Sequence, residues 1–396
     1  MKQTEKFIQL TNDYVLNTYT RLPIVLVKGK GVKVWDSEGN EYLDFFPGWA
    51  VSGLGHCPDP VVKAIAKQAG KIIHVSNNYY NEFQGALAQK IIQYSFPGKV
   101  FFCNSGAEAV EGAFKLVRAY GNPQRNEIIS MENSFHGRTL AAITATGQTK
   151  YQKGFEPLPS GFKHVAFNSI EAVKNAITDK TAAIILELIQ GEGGINVAEK
   201  GYVQELRKLC DKNNILLIFD EVQTCMGRTG QIFCFKNYGV EPDCFALAKS
   251  LGGGMPIGAL VVKQKYADVL KPGMHASTFG GSPIVCAAGL AAFKMIEEKN
   301  LLENTVAQGE YLFKKLNELK GKHSVIKQVR GMALMVGVEL EKQGKGVVEE
   351  CLKKKLLINC THENVLRIMP PMTVGKKDID KAIAILDEAL GTVTSN

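Results

Sequence analysis

The chain has 396 residues, 45% of them hydrophobic and 22% charged, which is too long for one typical domain and ordinary for a globular protein with ample core. Lys and Arg outnumber Asp and Glu by 47 to 39, but the basic residues are dispersed; Lys353-Lys354-Lys355, the densest run, reads as a solvated helix face, so a nucleic-acid stripe is excluded. The nine cysteines show no CxxC spacing and no zinc-type Cys/His pattern, and with no signal-type or membrane-length apolar run they point to a reducing, cytoplasmic setting without a metal.

Along the chain, residues 1–55 open with a candidate helix. The alternation of Ile24 to Lys28, Val32 to Trp35 and Tyr42 to Phe45, with a turn at Asp36-Ser37-Glu38-Gly39-Asn40, then predicts a short antiparallel meander. From 56 to 284, helical stretches alternate with the apolar runs Val100–Cys103, Glu127–Ser130, Ala182–Leu186, Ile215–Phe219 and Ala259–Val262. That alternation predicts an α/β unit with a mainly parallel sheet covered by helices on both faces. Residues 285–396 read as an α+β piece, with a long helix from Cys286 to Lys299 and a strand at Val365–Met369. The Gly/Pro-rich stretch Gly147–Gly161 is long enough for a functional loop.

Several segments carry chemistry. Asn104-Ser105-Gly106-Ala107-Glu108 joins a strand to a helix, and small residues there expose backbone N–H groups to an anion; ordinary capping by Ser105 explains the same pattern. In the loop Ser134-Phe135-His136-Gly137-Arg138-Thr139, the aromatic ring suits one face of a pyridine, and Arg138 suits a carboxylate. His136 reads as structural or stacking. Glu187 at a strand end, Glu192 in Gln190-Gly191-Glu192-Gly193-Gly194, and Arg367 before Met369-Pro370-Pro371 are candidate site charges or structural ion pairs. The turn after Ser277, Thr278-Phe279-Gly280-Gly281, offers a hydroxyl to a phosphate.

The most telling pair comes from Asn214 to Gln223 and from Cys244 to Gly254. Asp220 ends one buried strand, where open α/β sheets bind ligands, and Lys249 follows the next apolar run, ahead of Gly252-Gly253-Gly254. An amine and a carboxylate so placed are what pyridoxal 5'-phosphate (PLP) requires, the Lys for a Schiff base and the Asp for the pyridinium nitrogen. Val222, two residues beyond Asp220, falls on the same strand face beneath the ring, and Gln223 suits the ring's phenolic oxygen.

Taken together, these segments resemble the class III aminotransferases, fold type I PLP enzymes, and among them the acetylornithine type. The resemblance runs from about residue 15 to 388. It is carried also by Asp44-Phe45, Gly55-His56-Cys57, Gly227-Arg228-Thr229-Gly230 and Arg367-Ile368-Met369-Pro370-Pro371. It implies a seven-stranded sheet in a large PLP-binding domain (56–284) and a small domain built from both termini (1–55 and 285–396). It also implies Lys249 as Schiff-base lysine and proton carrier, Asp220 on the ring nitrogen and Gln223 on the ring oxygen. Val222 and Phe135 sandwich the ring. Ser105, Gly106 and Ala107 hold the phosphate, with Thr278 reaching in from the second subunit of a homodimer. Arg138 takes the α-carboxylate of an acyl-ornithine while Arg367 is paired with Glu192. When glutamate binds, Glu192 moves aside, and Arg367 and Arg138 take the α- and γ-carboxylates. Trp49 departs from the family pattern, where a small aliphatic residue or a tyrosine is usual, and a bulky indole there narrows the pocket or selects another acyl group. With Ser277 it completes the candidate substrate contacts. Near alternatives are donors such as ornithine, succinylornithine, 4-aminobutyrate or succinyl-diaminopimelate. More distant ones are a glutamate-1-semialdehyde-type aminomutase and a non-catalytic PLP- or nucleotide-binding regulator.

Overall fold

A computed structural model describes residues 3–121 and 123–394. The expected meander is present as β1 (Leu26–Lys30), β2 (Lys33–Asp36) and β3 (Glu41–Asp44). Asp36 closes its second turn by accepting the Glu38 and Asn40 N–H groups at 3.0 and 2.9 Å, an Asx turn that sets the register.

Next come β4 (Gly98–Cys103), β5 (Glu127–Met131), β6 (Phe162–Val165), β7 (Thr181–Leu186), the small hairpin β8 (Ile189–Gln190) and β9 (Asn196–Val197), β10 (Leu216–Asp220), β11 (Cys244–Leu247) and β12 (Gly258–Lys263). Seven of these form one sheet in the order β4-β12-β11-β10-β7-β5-β6. All its strand pairs are parallel except the two made by β12. Its strands alternate between two apolar layers. Leu216 and Ile218 face the layer containing the helix Gly106–Gly121, whereas Leu217 and Phe219 face the opposite layer. Burial on both faces is why these runs are almost continuously apolar.

The chain closes with β13 (Ile326–Met332), β14 (Met335–Leu340), β15 (Leu356–Leu357), β16 (Asn359–Thr361) and β17 (Val365–Ile368). Strands β13-β14-β17-β16 make an antiparallel sheet, and β15 adds in parallel to the edge of the meander. Val32, Leu43 and Phe45 share a third core with residues of the C-terminal helices and strands, Leu312, Val338 and Leu386 among them. Arg228 is fully buried between the two regions, donating to the carbonyls of Leu334 and Pro370 at 3.1 and 2.5 Å. With no carboxylate paired to it among the described residues, burial holds its guanidinium down at about 10. Among the described residues no helix is long and apolar enough to cross a membrane.

Candidate active site

The helix after β4 begins at Gly106, inside the Asn104–Glu108 segment rather than after it. Ser105 Oγ accepts the Glu108 N–H at 3.2 Å, and Glu108 Oε2 accepts the Asn104 N–H at 2.7 Å, a reciprocal cap. The cap uses the Glu108 donor and leaves the Gly106 and Ala107 amides at the helix mouth, so capping by Ser105 does not preclude an anion there. A Cβ on Gly106 would stand 2.8 Å from both methyl carbons of Val222. Glycine is what allows the two segments to meet.

Asp220 is the last residue of β10 and is buried. Its Oδ1 accepts the Val222 N–H at 3.0 Å, and its Oδ2 faces His136 Nδ1 at 2.8 Å. The strand ends at Asp220, so Val222 occupies a turn rather than a continuing strand face, and the hydrogen bond back to Asp220 is what bends it toward the cavity. His136 thus orients Asp220 across 84 positions of sequence. Its Nε2 has no partner among the described residues, and neither does Gln223 Oε1.

Lys249 follows β11, which lies beside β10 with Ala246 level with Asp220. Its φ of +48° is left-handed, a conformation that costs a side-chain-bearing residue on the order of 1 kcal/mol and commonly marks a functional position. Burial pushes its amine below the ordinary lysine range, against the pull of Glu192 and Asp220.

Glu187 follows β7 directly, and the partners that a buried carboxylate needs are backbone amides. It accepts the Phe135 N–H at 2.8 Å and the Gly191 N–H at 3.1 Å. Burial still pushes its carboxyl up to about 7, with the nearby Asp220 charge acting the same way and His136 opposing it. Glu192 is ion-paired with the buried Arg367, Oε1 to NH1 at 2.5 Å. Arg367 also donates to Asn359 Oδ1 from Nε and NH2 at 2.8 and 2.5 Å. Its guanidinium carbon lies 4.5 Å from the Phe46 ring centre and 5.1 Å from that of Trp49. Arg138 is exposed and stacks on Tyr151 at 4.2 Å, with no carboxylate paired to it among the described residues.

A cavity of about 510 Å³ brings together Ser105, Gly106, Ala107, Phe135, Arg138, Glu192, Asp220, Val222, Gln223 and Lys249. Arg367 stands behind Glu192, outside the cavity wall. Trp49 is 52% exposed and lines an adjoining cavity with Phe46 and Asn359. Ser277 accepts from Asn104 Nδ2 at 3.1 Å, one step back from the helix mouth, and Thr278 is exposed outside the cavity of this chain. Sequence reasoning passed over Asn359, Phe46 and Tyr151, and also Pro256 and Ile257 of the cavity wall. Only the apolar run from Met255 to Ile257 carries a local signal, because the others act through partners distant in the chain.

The model of the family Aminotransferase class-III matches residues 14–390. The acetylornithine aminotransferase of Methanocaldococcus jannaschii is 53% identical over 388 residues, 97% of this chain and 98% of the relative. Among solved structures, the ornithine aminotransferase of Toxoplasma gondii crystallised with oxidised glutathione, which has partial occupancy of PLP at its active site, matches with a TM-score of 0.96 at 32% identity. It covers 100% of this chain and 95% of its own. The acetylornithine aminotransferase of Elizabethkingia anophelis matches with a TM-score of 0.88 at 31% identity, covering 99% and 100%. A strand-end aspartate and a lysine meet at the mouth of a mainly parallel sheet, and the family match spans nearly the whole chain. The protein belongs to the class III aminotransferases, with the fold type I architecture and PLP as cofactor.

Proposed function

We propose that this protein moves the δ-amino group of N2-acetylornithine to 2-oxoglutarate, giving N-acetylglutamate 5-semialdehyde and glutamate in arginine biosynthesis, as a cytoplasmic homodimer. Acetylornithine aminotransferases are its relatives at 53% identity. The observation that carries the reading is an asymmetry between two cations. Arg138 is free of carboxylates among the described residues, while Arg367 is held by Glu192.

The residues present fit PLP. The Gly106 and Ala107 amides suit its phosphate, Asp220 suits a protonated ring nitrogen, and Gln223, on the cavity wall, suits the ring oxygen through its Nε2–H donor. Val222 and Phe135 would flank the ring, and Thr278 is assigned to the phosphate of the partner's site. Bound there, PLP supplies an electron sink for the bonds at the substrate carbon that bears the amine. Asp220, oriented by His136, keeps the ring nitrogen protonated. Lys249, whose lowered pKa enlarges its neutral fraction, anchors the cofactor and later moves the proton at the substrate's amine-bearing carbon. Residues 56–284 serve as the PLP-binding domain, and residues 1–55 with 285–396 as the smaller one.

Substrate choice follows from charge. With Arg367 neutralised by Glu192, Arg138 alone binds the α-carboxylate of the acyl-ornithine, leaving the distal amine at the reacting centre. Displacement of Glu192 by glutamate exposes a second cation for a substrate with two carboxylates, and Trp49 and Ser277 border this region. The test is to mix the PLP-loaded enzyme, without 2-oxoglutarate, with N-acetylornithine, ornithine or 4-aminobutyrate and follow its visible absorbance. Rapid loss with N-acetylornithine alone, restored by 2-oxoglutarate, is the expected result. A response only to another amine would reassign the donor.

A further inference from the structure

Arg367 has two side-chain hydrogen-bond partners of different kinds. Glu192 is charged, half-buried and set in the loop between β8 and β9, whereas Asn359 is neutral and stands directly across from Arg367 in the β16–β17 pairing. Because a guanidinium has no acceptor, the Asn359 amide must turn its oxygen inward, and that one oxygen receives both Nε and NH2 at 2.8 and 2.5 Å. Glu192 meets only NH1. Two residues along β16, Thr361 Oγ1 donates to the Glu192 backbone carbonyl at 2.7 Å. Arg330 donates to the neighbouring Gly194 carbonyl through Nε at 3.0 Å. These contacts hold the backbone of the Glu192 loop and favour departure of the Glu192 carboxylate by side-chain rotation.

We propose that Asn359 is a positioning residue that fixes the Arg367 guanidinium in a carboxylate-receiving orientation while leaving its charge unspent. It would thereby determine how well the enzyme takes the dicarboxylate partner, 2-oxoglutarate or glutamate. The physical reason is a division of labour. A removable carboxylate neutralises Arg367 when a second anionic subsite is unwanted. A permanent carboxylate at position 359 would neutralise it always and repel the incoming substrate carboxylate. Without any acceptor at 359, a released Arg367 would retain only ring stacking and the Gly191 carbonyl, 3.3 Å from NH1, and would lose the fixed fork that bidentate carboxylate binding needs. The proposal rests on the reading that Arg367 receives a substrate carboxylate in the second half-reaction.

The experiment measures the two half-reactions separately on PLP-loaded Asn359→Ala and Asn359→Asp, with Arg367→Ala as reference and thermal midpoints as the folding control. Asn359→Ala is expected to weaken glutamate and 2-oxoglutarate about 10-fold, as lost orientation of a charge-assisted pair would, with the N-acetylornithine half-reaction changed by less than about twofold. Asn359→Asp keeps the acceptor geometry and should be impaired at least as much on the same side only. Equal losses in both half-reactions, no loss in either, or restoration by Asp would overturn the assignment of Asn359. If Arg367→Ala itself shows no selective loss toward the dicarboxylates, the underlying reading of Arg367 fails instead. If Arg367→Ala is selective and Asn359→Ala is not, only the positioning role falls.

Discussion

At the scale of single residues, Trp49 shows how a departure from a family pattern acquires meaning from its surroundings. Its sequence position suggested a bulky wall that selects the acyl group. Its indole lies 5.1 Å from the Arg367 guanidinium carbon, edge-on to Phe46 at 5.4 Å, and is half exposed. A cation–π contact at that exposure contributes about 0.5–1 kcal/mol, roughly a two- to fivefold effect on binding. Trp49→Ile should therefore raise KM for 2-oxoglutarate by about that factor and leave the ranking of amine donors unchanged. Steady-state kinetics over a donor panel check this. A broadened donor range with unaltered 2-oxoglutarate kinetics would show the indole to be a steric selector after all.

At the scale of elements, the legible parts were those whose burial is written locally. Strands β7 and β10 are continuous apolar runs because the sheet buries both of their faces, and Asp220 stands out as the polar residue that ends one. Strand β6, Phe-Lys-His-Val at the sheet edge, has too little apolar pattern to be recognised, and β16, Asn-Cys-Thr, has none. Strand β16 contributes to this region nevertheless, since Asn359 and Thr361 contact groups brought to them by pairing and by the loop between β8 and β9. Likewise His136 was visible as a residue but not as the partner of Asp220. The helix mouth at Gly106 was legible, yet its tight approach to Val222 was not, because the turn that ends β10 is set by hydrogen bonds to side-chain and distant backbone groups, such as Val222 N–H to Asp220 Oδ1 and Glu221 N–H to the Ala246 carbonyl. This approach makes Gly106→Ala a test of the element. The added methyl must displace Val222 from the cavity wall, so PLP affinity should fall about tenfold or more, a modest steric cost in a packed site. Titration of apo-protein with PLP measures it. Unchanged affinity would mean that the turn yields freely.

At the scale of the whole molecule, burial leaves two carboxyl groups in the large sheet region titrating far above their ordinary range. Glu221 is fully buried, accepts the Cys234 and Phe235 N–H groups at 2.6 and 2.7 Å, and is pushed up to about 7 by burial despite those bonds, with the Asp220 charge adding to the rise. Glu187 is raised similarly, but it borders the cofactor cavity, so Glu221 is the cleaner probe. A carboxyl whose folded pKa exceeds its unfolded value binds more protons when folded. Its contribution is full below the ordinary carboxylate range and is lost progressively as pH rises to about 7, where it levels off. For one group the loss is on the order of 3 kcal/mol. Glu221→Gln removes the titration and also costs one acceptor, but that cost is a constant offset with no pH dependence. Urea unfolding of both proteins from pH 4.5 to 8 should therefore show their stability difference shifting toward the glutamine variant by about this amount. A difference that stays flat across the range would mean that Glu221 is already ionised in the folded protein, its two backbone donors outweighing its burial.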